Sequence, residues 1–405
     1  MFLNSILLFL IFLFVFNIKL NFFPYYSNLV ISILGFCIVL LLSFNNSKLK
    51  ISKDILSLLI FVLCIPVSFS VSLLFNSDSN DYYYLKTFFL NNIVYFFSAI
   101  FIFVLFFKDK NRDYESYVKY LAIAVSLQLI LSMVGFLNSN FFDFVFKFIA
   151  MERDSSALEN MSEYRMVGIG ASFFGSGVIN TITLLLIANS IMKKNNKNFL
   201  ILMVTFCIIA FIGILSSRTT IIGLILSLCI FAINLKNNIK LLGGIGIVFT
   251  LFLIIYPILS VYNDKVSTIF DFGLGFLFDF KNSEAADSVG VLQKYFTIIP
   301  DNYKTWLIGD ARFGDQVSYY QGTDVGIYRI IFCTGIVGLL SFFLMQFYLL
   351  FKIRDDYLKK TSKVLIFISL IILNLKGVAS FFVVLIIPFL LSVMVVNKSN
   401  SGFYK

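Results

Sequence analysis

The chain contains no histidine. That excludes every mechanism that needs an imidazole as proton carrier or metal ligand. Cysteine is scarce and scattered. Cys37, Cys64, Cys207, Cys229 and Cys333 all lie within apolar stretches, away from the polar loops. Five widely spaced thiols form neither a disulfide framework nor a metal-ligand spacing, so we expect no metal and no cofactor. Charge is scarce too. Only 13% of the 405 residues are Asp, Glu, Lys or Arg, where an ordinary soluble domain has about a quarter. No repeat of fixed period is present. The segment Met1–Phe16 lacks the basic start and small-residue cleavage site of a secretory signal, so it reads as a first span.

What the chain has instead is apolar length. Hydrophobic residues make up 59% of it, and the mean hydropathy is +0.93. Runs such as Ile6–Phe16 and Val383–Val396 have no aqueous core to enter. The expected fold is all-α: a single integral membrane domain over residues 1–405, with about 12 transmembrane helices and both termini cytoplasmic. A helix needs about 20 residues to cross a bilayer, fewer where its ends snorkel. The spans fall near 2–17, 29–44, 55–75, 89–107, 119–137, 169–192, 199–215, 219–235, 241–260, 328–351, 362–375 and 378–396. Residues 364–396 exceed one span, and Lys376–Gly377 is the natural break. The short first half is either a span or a re-entrant segment.

The charges sort by side. Of 25 lysines, 17 fall on one side, in short loops such as Lys48/Lys50/Lys53, Lys108/Lys110, Lys193/Lys194/Lys197 and Lys359/Lys360/Lys363. Of 7 arginines, 5 fall on the other: Arg153, Arg165, Arg218, Arg312 and Arg329. The lysine-rich side carries a net +13 and the other side −3. Basic residues in short loops stay in the cytoplasm, so the pI near 9.2 is an insertion signal and no nucleic-acid partner is expected. Arginines that collect outside, against that bias, suit an anionic, phosphate-bearing substrate, because guanidinium pairs with phosphate in a two-pronged way.

Two outer segments are longer than connection demands, 138–168 and 261–327. Long loops in compact proteins are usually functional. The first opens on aromatic-rich Asn138–Phe148. The second holds the apolar stretches Thr268–Phe280 and Val289–Ile299, which read as helices in the interface plane, and Trp306, which reads as an interfacial anchor.

Three short segments carry candidate chemistry. Glu163-Tyr-Arg165-Met-Val-Gly168-Ile-Gly170 stands at the mouth of span six, and Ser216-Ser-Arg218-Thr-Thr220 forms the turn between spans seven and eight. The third is Leu307-Ile-Gly309-Asp310-Ala-Arg312-Phe-Gly314-Asp315 with Tyr319-Tyr320-Gln-Gly322-Thr323-Asp324-Val-Gly326-Ile-Tyr328-Arg329, leading into Gly335-Ile-Val-Gly338. A glycine–acid–glycine turn after a long outer loop, then Thr-Asp-x-Gly-x-x-Arg before a Gly-x-x-Gly span, resembles the oligosaccharide repeat-unit polymerases (Wzy-type O-antigen or capsule polymerases). The resemblance covers roughly 160–340 and the overall topology. The Ser-Arg-Thr turn is shared with the related O-antigen ligases. That branch is associated with a histidine in its large outer loop, which is missing here.

The resemblance implies a glycosyltransferase of the bacterial cytoplasmic (inner) membrane with its site facing the periplasm. A growing glycan on undecaprenyl pyrophosphate would pass to a hydroxyl of an incoming lipid-linked repeat unit. The implied partners are the undecaprenyl-pyrophosphate-linked oligosaccharide, membrane lipids, a chain-length regulator and a flippase. Fixed guanidiniums from Arg165, Arg218, Arg312 and Arg329 would stabilise charge on the departing diphosphate. Asp324 is the first candidate for the base that takes the acceptor proton, and Glu163 the second. Tyr320, with Tyr319 and Tyr328, could stack on sugar rings.

Each has an ordinary alternative. Arg218 could hold a lipid headgroup, and Arg165 and Arg329 could snorkel. Arg312 could pair with Asp310 or Asp315, and Arg153 with Glu152 and Asp154. Asp324 could be a helix N-cap. The glycines at 168, 170, 175 and 177 read as close helix packing. Two rival functions stand beside the polymerase: an O-antigen ligase, which hands the glycan to lipid A core, and a flippase for the lipid-linked unit. A transporter keeps polar groups near the bilayer midplane, whereas here they crowd the outer surface.

Overall fold

The computed structural model describes residues 2–44, 52–108, 112–150, 165–193, 196–233, 264–278, 284–314 and 319–399, with the single positions 243, 246 and 250. Among them the chain is helical, with three isolated bridges and no sheet. The helices are α1 (Phe2–Phe16), α2 (Ser27–Phe44), α3 (Lys53–Phe75), α4 (Tyr83–Phe106), α5 (Tyr114–Leu137), α6 (Ser139–Phe148), α7 (Phe173–Ile191) and α8 (Phe199–Ser216). They continue with α9 (Thr220–Ala232), α10 (Asp264–Phe278), α11 (Glu284–Phe296), α12 (Tyr303–Leu307), α13 (Gly326–Phe351), α14 (Lys360–Asn374) and α15 (Phe382–Ser399).

Seven of these, α2 to α5, α7, α8 and α13, are long and apolar enough to cross a membrane. Such a set belongs to a polytopic membrane protein. At 1.5 Å per residue an 18-residue helix reaches about 27 Å, close to the ~30 Å hydrocarbon core. Helices α1, α9 and the segment Phe382–Met394 are apolar but shorter. The expected ninth span, 241–260, lies almost entirely outside the described residues.

Contacts sort the chain into two compact units. The first comprises Met1–Ser27, Glu115–Gly290 and Val364–Ser369; the second comprises Asn28–Tyr114, Val291–Lys363 and Leu370–Lys405.

In the first unit α7 is the core, buried at every residue from Ser176 to Ile191. It packs on both α8 and α9. Gly223 of α9 sits on α7 so closely that a Cβ there would lie 2.5 Å from the Cα of Thr181. Small residues let backbones approach in this way where helices gain little from excluding water. A second apolar cluster joins Phe136, Met166, Ile214, Leu215, Ile269, Phe270 and Leu274. It holds α10 against the ends of α5 and α8. The stretch expected to lie in the interface plane therefore buries its apolar face within the unit. Its apolar residues recur every three to four positions and form one stripe. Helix α6 is capped by Asn138, whose side chain accepts from the N–H of Phe141 at 3.2 Å, and has no fully buried residue.

In the second unit α3 runs along α13, and α4 packs on α15. Helix α4 begins at Tyr83, ahead of the expected 89, and opens through a π-helical turn over Lys86–Leu90. Helix α13 is broken at Gly335, which adopts φ +65° and ψ −169°. Just before the break, the carbonyls of Phe332 and Cys333 accept from the N–H groups of Asp310 (2.6 Å) and Ala311 (3.0 Å). Carbonyls freed by a helix break need other donors, and here the 309–311 loop supplies them. Trp306 donates its indole N–H to Pro300 O at 2.9 Å. Helices α14 and α15 separate around the expected break at Lys376–Gly377. Asn374 bridges it, donating to Ala379 O (3.0 Å) and accepting from Ala379 N (3.2 Å).

Candidate functional site

Two constellations of sequence-selected residues form, one in each unit. In the first unit, residues 165–172 are not helical, although the sixth span was expected from 169. The reason lies in the backbone. Gly170 has φ +75°, and a Cβ there would meet the carbonyl oxygen of Phe16 at 2.0 Å. The Ser172 hydroxyl accepts from Gly168 N and donates to Gly168 O, both at 3.0 Å, which closes the turn. Phe173, the first residue of α7, has φ +52°, a left-handed conformation unusual for a bulky residue.

This turn delivers Arg165 to Phe272. The guanidinium carbon of Arg165 lies 4.5 Å from the centroid of the Phe272 ring, and that of Arg218 lies 4.4 Å from the same centroid. Their separation is therefore at most roughly 9 Å. Arg165 also stands 6.0 Å from the Phe173 ring. The apolar cluster positions all three groups. Met166 follows Arg165, Leu215 precedes Arg218 by one turn, and Phe270 and Leu274 flank Phe272. Gly273 lies against Leu215, where a Cβ would meet its Cδ2 at 2.8 Å.

Beneath Arg218 is a buried hydroxyl and amide network. Ser217 and Thr219 hydroxyls are 2.6 Å apart, and Asn180 donates to Thr220 Oγ1 at 3.2 Å. Thr220 donates to Gly213 O at 2.9 Å. Gly177 makes room for the turn, since a Cβ there would sit 2.2 Å from Thr219 Oγ1. The packing expected of the glycine run thus holds at 177. At Gly175 nothing lies within 4 Å.

In the second unit the loop 308–314 is held by the end of α3 and the residues after it. Ser72 donates to Ile308 O. Asn76 donates to Gly309 O at 2.9 Å, and Ser79 donates to Ala311 O at 2.5 Å. Asp81 accepts from the N–H groups of Phe313 and Gly314, both at 2.6 Å, and from Tyr83 N at 3.0 Å. Asp310 accepts from the Thr305 hydroxyl (2.7 Å) and from the Tyr320 hydroxyl (3.3 Å), so its partners are these two groups and not Arg312.

Arg329 does not reach out from the helix end. It is 8% exposed, with its guanidinium carbon 4.3 Å from the Phe313 ring centroid and 4.1 Å from that of Tyr319. Among the described residues it pairs with Asp324 at 3.9 Å, and its Nε has no hydrogen-bond partner. Asp324 itself is not the helix cap. Val325 occupies that position and makes no side-chain cap hydrogen bond.

Arg312 and Tyr320 line a cavity of about 440 Å³ together with Asp78, Ser79, Asn80, Asp81, Gly314, Tyr319 and Gln321. Arg329 and Asp324 are not among its walls. Glu163, Arg153 and Asp315 lie outside the described residues. Sequence reasoning missed two contributors. Phe272 was hidden among 51 phenylalanines, and the loop 76–81 passed for a short connection. Its signal was there to read: Asn76-Ser-Asp78-Ser-Asn80-Asp81 is six consecutive polar residues between two apolar spans.

No protein-family model matches the chain, and neither a curated protein nor a solved structure matches it.

Proposed function

We propose that the chain is a membrane glycosyltransferase that polymerises lipid-linked oligosaccharide repeat units, with undecaprenyl pyrophosphate as the leaving group. One observation carries this reading: Arg165 and Arg218 converge on Phe272. Two guanidiniums no more than roughly 9 Å apart repel by about 2 kcal/mol at an effective dielectric of 20. A diphosphate is the ligand that turns this repulsion into attraction, with an oxygen pair for each fork. In the reaction the glycosyl–diphosphate bond breaks and the anomeric carbon bonds to an acceptor hydroxyl, whose proton passes to a carboxylate. Charge builds on the leaving diphosphate, and guanidiniums already fixed against a ring stabilise it without reorganising. The candidates for the carboxylate are Asp324 and Glu163.

We place the lysine-rich helix ends in the cytoplasm of a bacterial inner membrane, with twelve spans. Side-chain contacts support this alternation. Lys193 pairs with Glu115 (2.6 Å), Lys352 with Asp54 (2.7 Å) and Lys363 with Asp355 (2.7 Å), all expected inside. Lys304 donates to Phe75 O and Asn76 Oδ1, all expected outside.

The surface glycan of a deletion strain tests the reading. A single repeat unit without long chains is expected, and Arg165→Ala or Arg218→Ala should reproduce it, with Arg218→Lys recovering only short ladders. Polymer uncoupled from its core would point to a ligase instead. Lipid-linked units trapped on the cytosolic face would point to a flippase.

A further inference from the structure

The cavity of the second unit has no part in the reading above, and its charge argues against a phosphate. Among its walls Asp78 and Asp81 are anionic and Arg312 is cationic. A phosphate there would face two carboxylates and one guanidinium, a net repulsion. The site is not apolar either.

Its polar groups are largely unspent. None of Asp78, Asn80, Arg312 and Gln321 makes a side-chain hydrogen bond or ion pair with a described residue, and the guanidinium carbon of Arg312 stands 5.9 Å from the Tyr320 ring centroid. All four are exposed. Together they offer a carboxylate that only accepts, a guanidinium that only donates, and two amides that do both. Two tyrosines complete the wall. Tyr319 is backed by Arg329 at 4.1 Å, and Tyr320 is fixed by its hydrogen bond to Asp310. The loops are set in strained geometry, with Ala311 at φ +53° and Gln321 at φ +58°. Residues held in such conformations gather at ligand clamps.

The matching ligand is uncharged, carries donors and acceptors around a ring, and presents weakly positive C–H groups to the negative face of an aromatic. A sugar has all three properties, and the volume lies in the range of small-ligand cavities. We propose that this cavity is a carbohydrate-binding site for uncharged sugar residues of a glycan. Asp78 accepts ligand hydroxyl protons in hydrogen bonds, Arg312 donates to ring and hydroxyl oxygens, and the two tyrosines provide the stacking wall. The site stands apart from the pyrophosphate assignment, since a ligase or a flippase would use it equally.

The test places the photo-crosslinker p-benzoylphenylalanine at Gln321 in the full chain, in membranes of cells that make the surface glycan. A second copy carries it at Tyr303, which is 88% exposed and outside the cavity walls. After irradiation, adducts are probed by periodate oxidation and hydrazide tagging. A carbohydrate-positive adduct is expected at Gln321 and not at Tyr303. Asp78→Asn should lower its yield roughly ten-fold, because a charged acceptor is lost. Asp78 holds no other described residue, so this variant should fold, as its elution profile will show. No carbohydrate-positive adduct at Gln321, an adduct of lipid alone, or equal yield with Asp78→Asn in folded protein would each overturn the proposal. The deletion phenotype reads the polymerase proposal separately.

Discussion

Phe272 is the residue on which the first constellation turns. A cation over an aromatic face gains about 0.5–2 kcal/mol, and here one ring serves two guanidiniums at 4.5 and 4.4 Å. The ring is 7% exposed, so it is fixed by packing and acts as a spacer as well as an attractor. Phe272→Leu keeps an apolar side chain but removes the quadrupole. It should slow polymerisation by roughly three- to thirty-fold, each 1.4 kcal/mol being a factor of ten. Phe272→Trp should retain most of the rate. Equal rates for the leucine and tryptophan variants, measured as repeat units added per minute, would show that the ring only fills space. Arg329 illustrates the opposite use of an arginine. Stacked between Phe313 and Tyr319 and 3.9 Å from Asp324, it ties the start of α13 to the loop below. Nothing in the sequence separates the roles of Arg165 and Arg329, because both stand at helix mouths beside glycines.

At the scale of elements, the break in α13 positions the second constellation. Gly335 meets the 307–308 backbone so closely that a Cβ would lie 2.2 Å from Leu307 O, and its φ of +65° disfavours any side chain. That region is open essentially to glycine alone and costs a side chain roughly 1–3 kcal/mol, and the clash adds to it. Gly335→Ala should therefore lower the thermal midpoint of the purified protein by several degrees and cut its folded yield. Gly175→Ala, with nothing within 4 Å, should leave both unchanged. Wild-type stability in Gly335→Ala would contradict the backbone contact. The helices themselves were legible wherever an apolar run was uninterrupted, as in α2, α3, α8 and α13, because one-dimensional hydropathy records desolvation. The start of α7 was not. An apolar stretch with two glycines looks helical until Phe16 closes on Gly170, a contact between residues far apart in the sequence. The packing of α10 was missed for a related reason: its apolar stripe suits a lipid surface and a protein surface equally, and only the partner residues Ile214, Leu215 and Phe136 decide between them.

For the whole molecule, the seven apolar helices among the described residues that are long enough to cross a bilayer agree with a chain that is 59% hydrophobic and 13% charged. The expected sorting of lysine and arginine to opposite sides was the most useful sequence signal, because arginines expected outside, against the insertion bias, call for a chemical reason. It selected Arg165 and Arg218 as candidates, and the fold brings those two together. It grouped Arg312 and Arg329 with them, although one lines a cavity of mixed charge and the other is buried between rings. Net charge by side cannot separate these cases, since each depends on which carboxylates and rings fold beside the arginine. The most direct test is the affinity of the purified protein, in lipid nanodiscs, for undecaprenyl pyrophosphate. Arg165→Ala and Arg218→Ala should each weaken binding by about ten-fold or more, with Arg218→Lys intermediate, as expected for lost charge-assisted bonds. Their double variant should lose less than the product of the two, because the pair acts as one clamp. Undiminished affinity in both single variants, with the fold intact, would contradict the account.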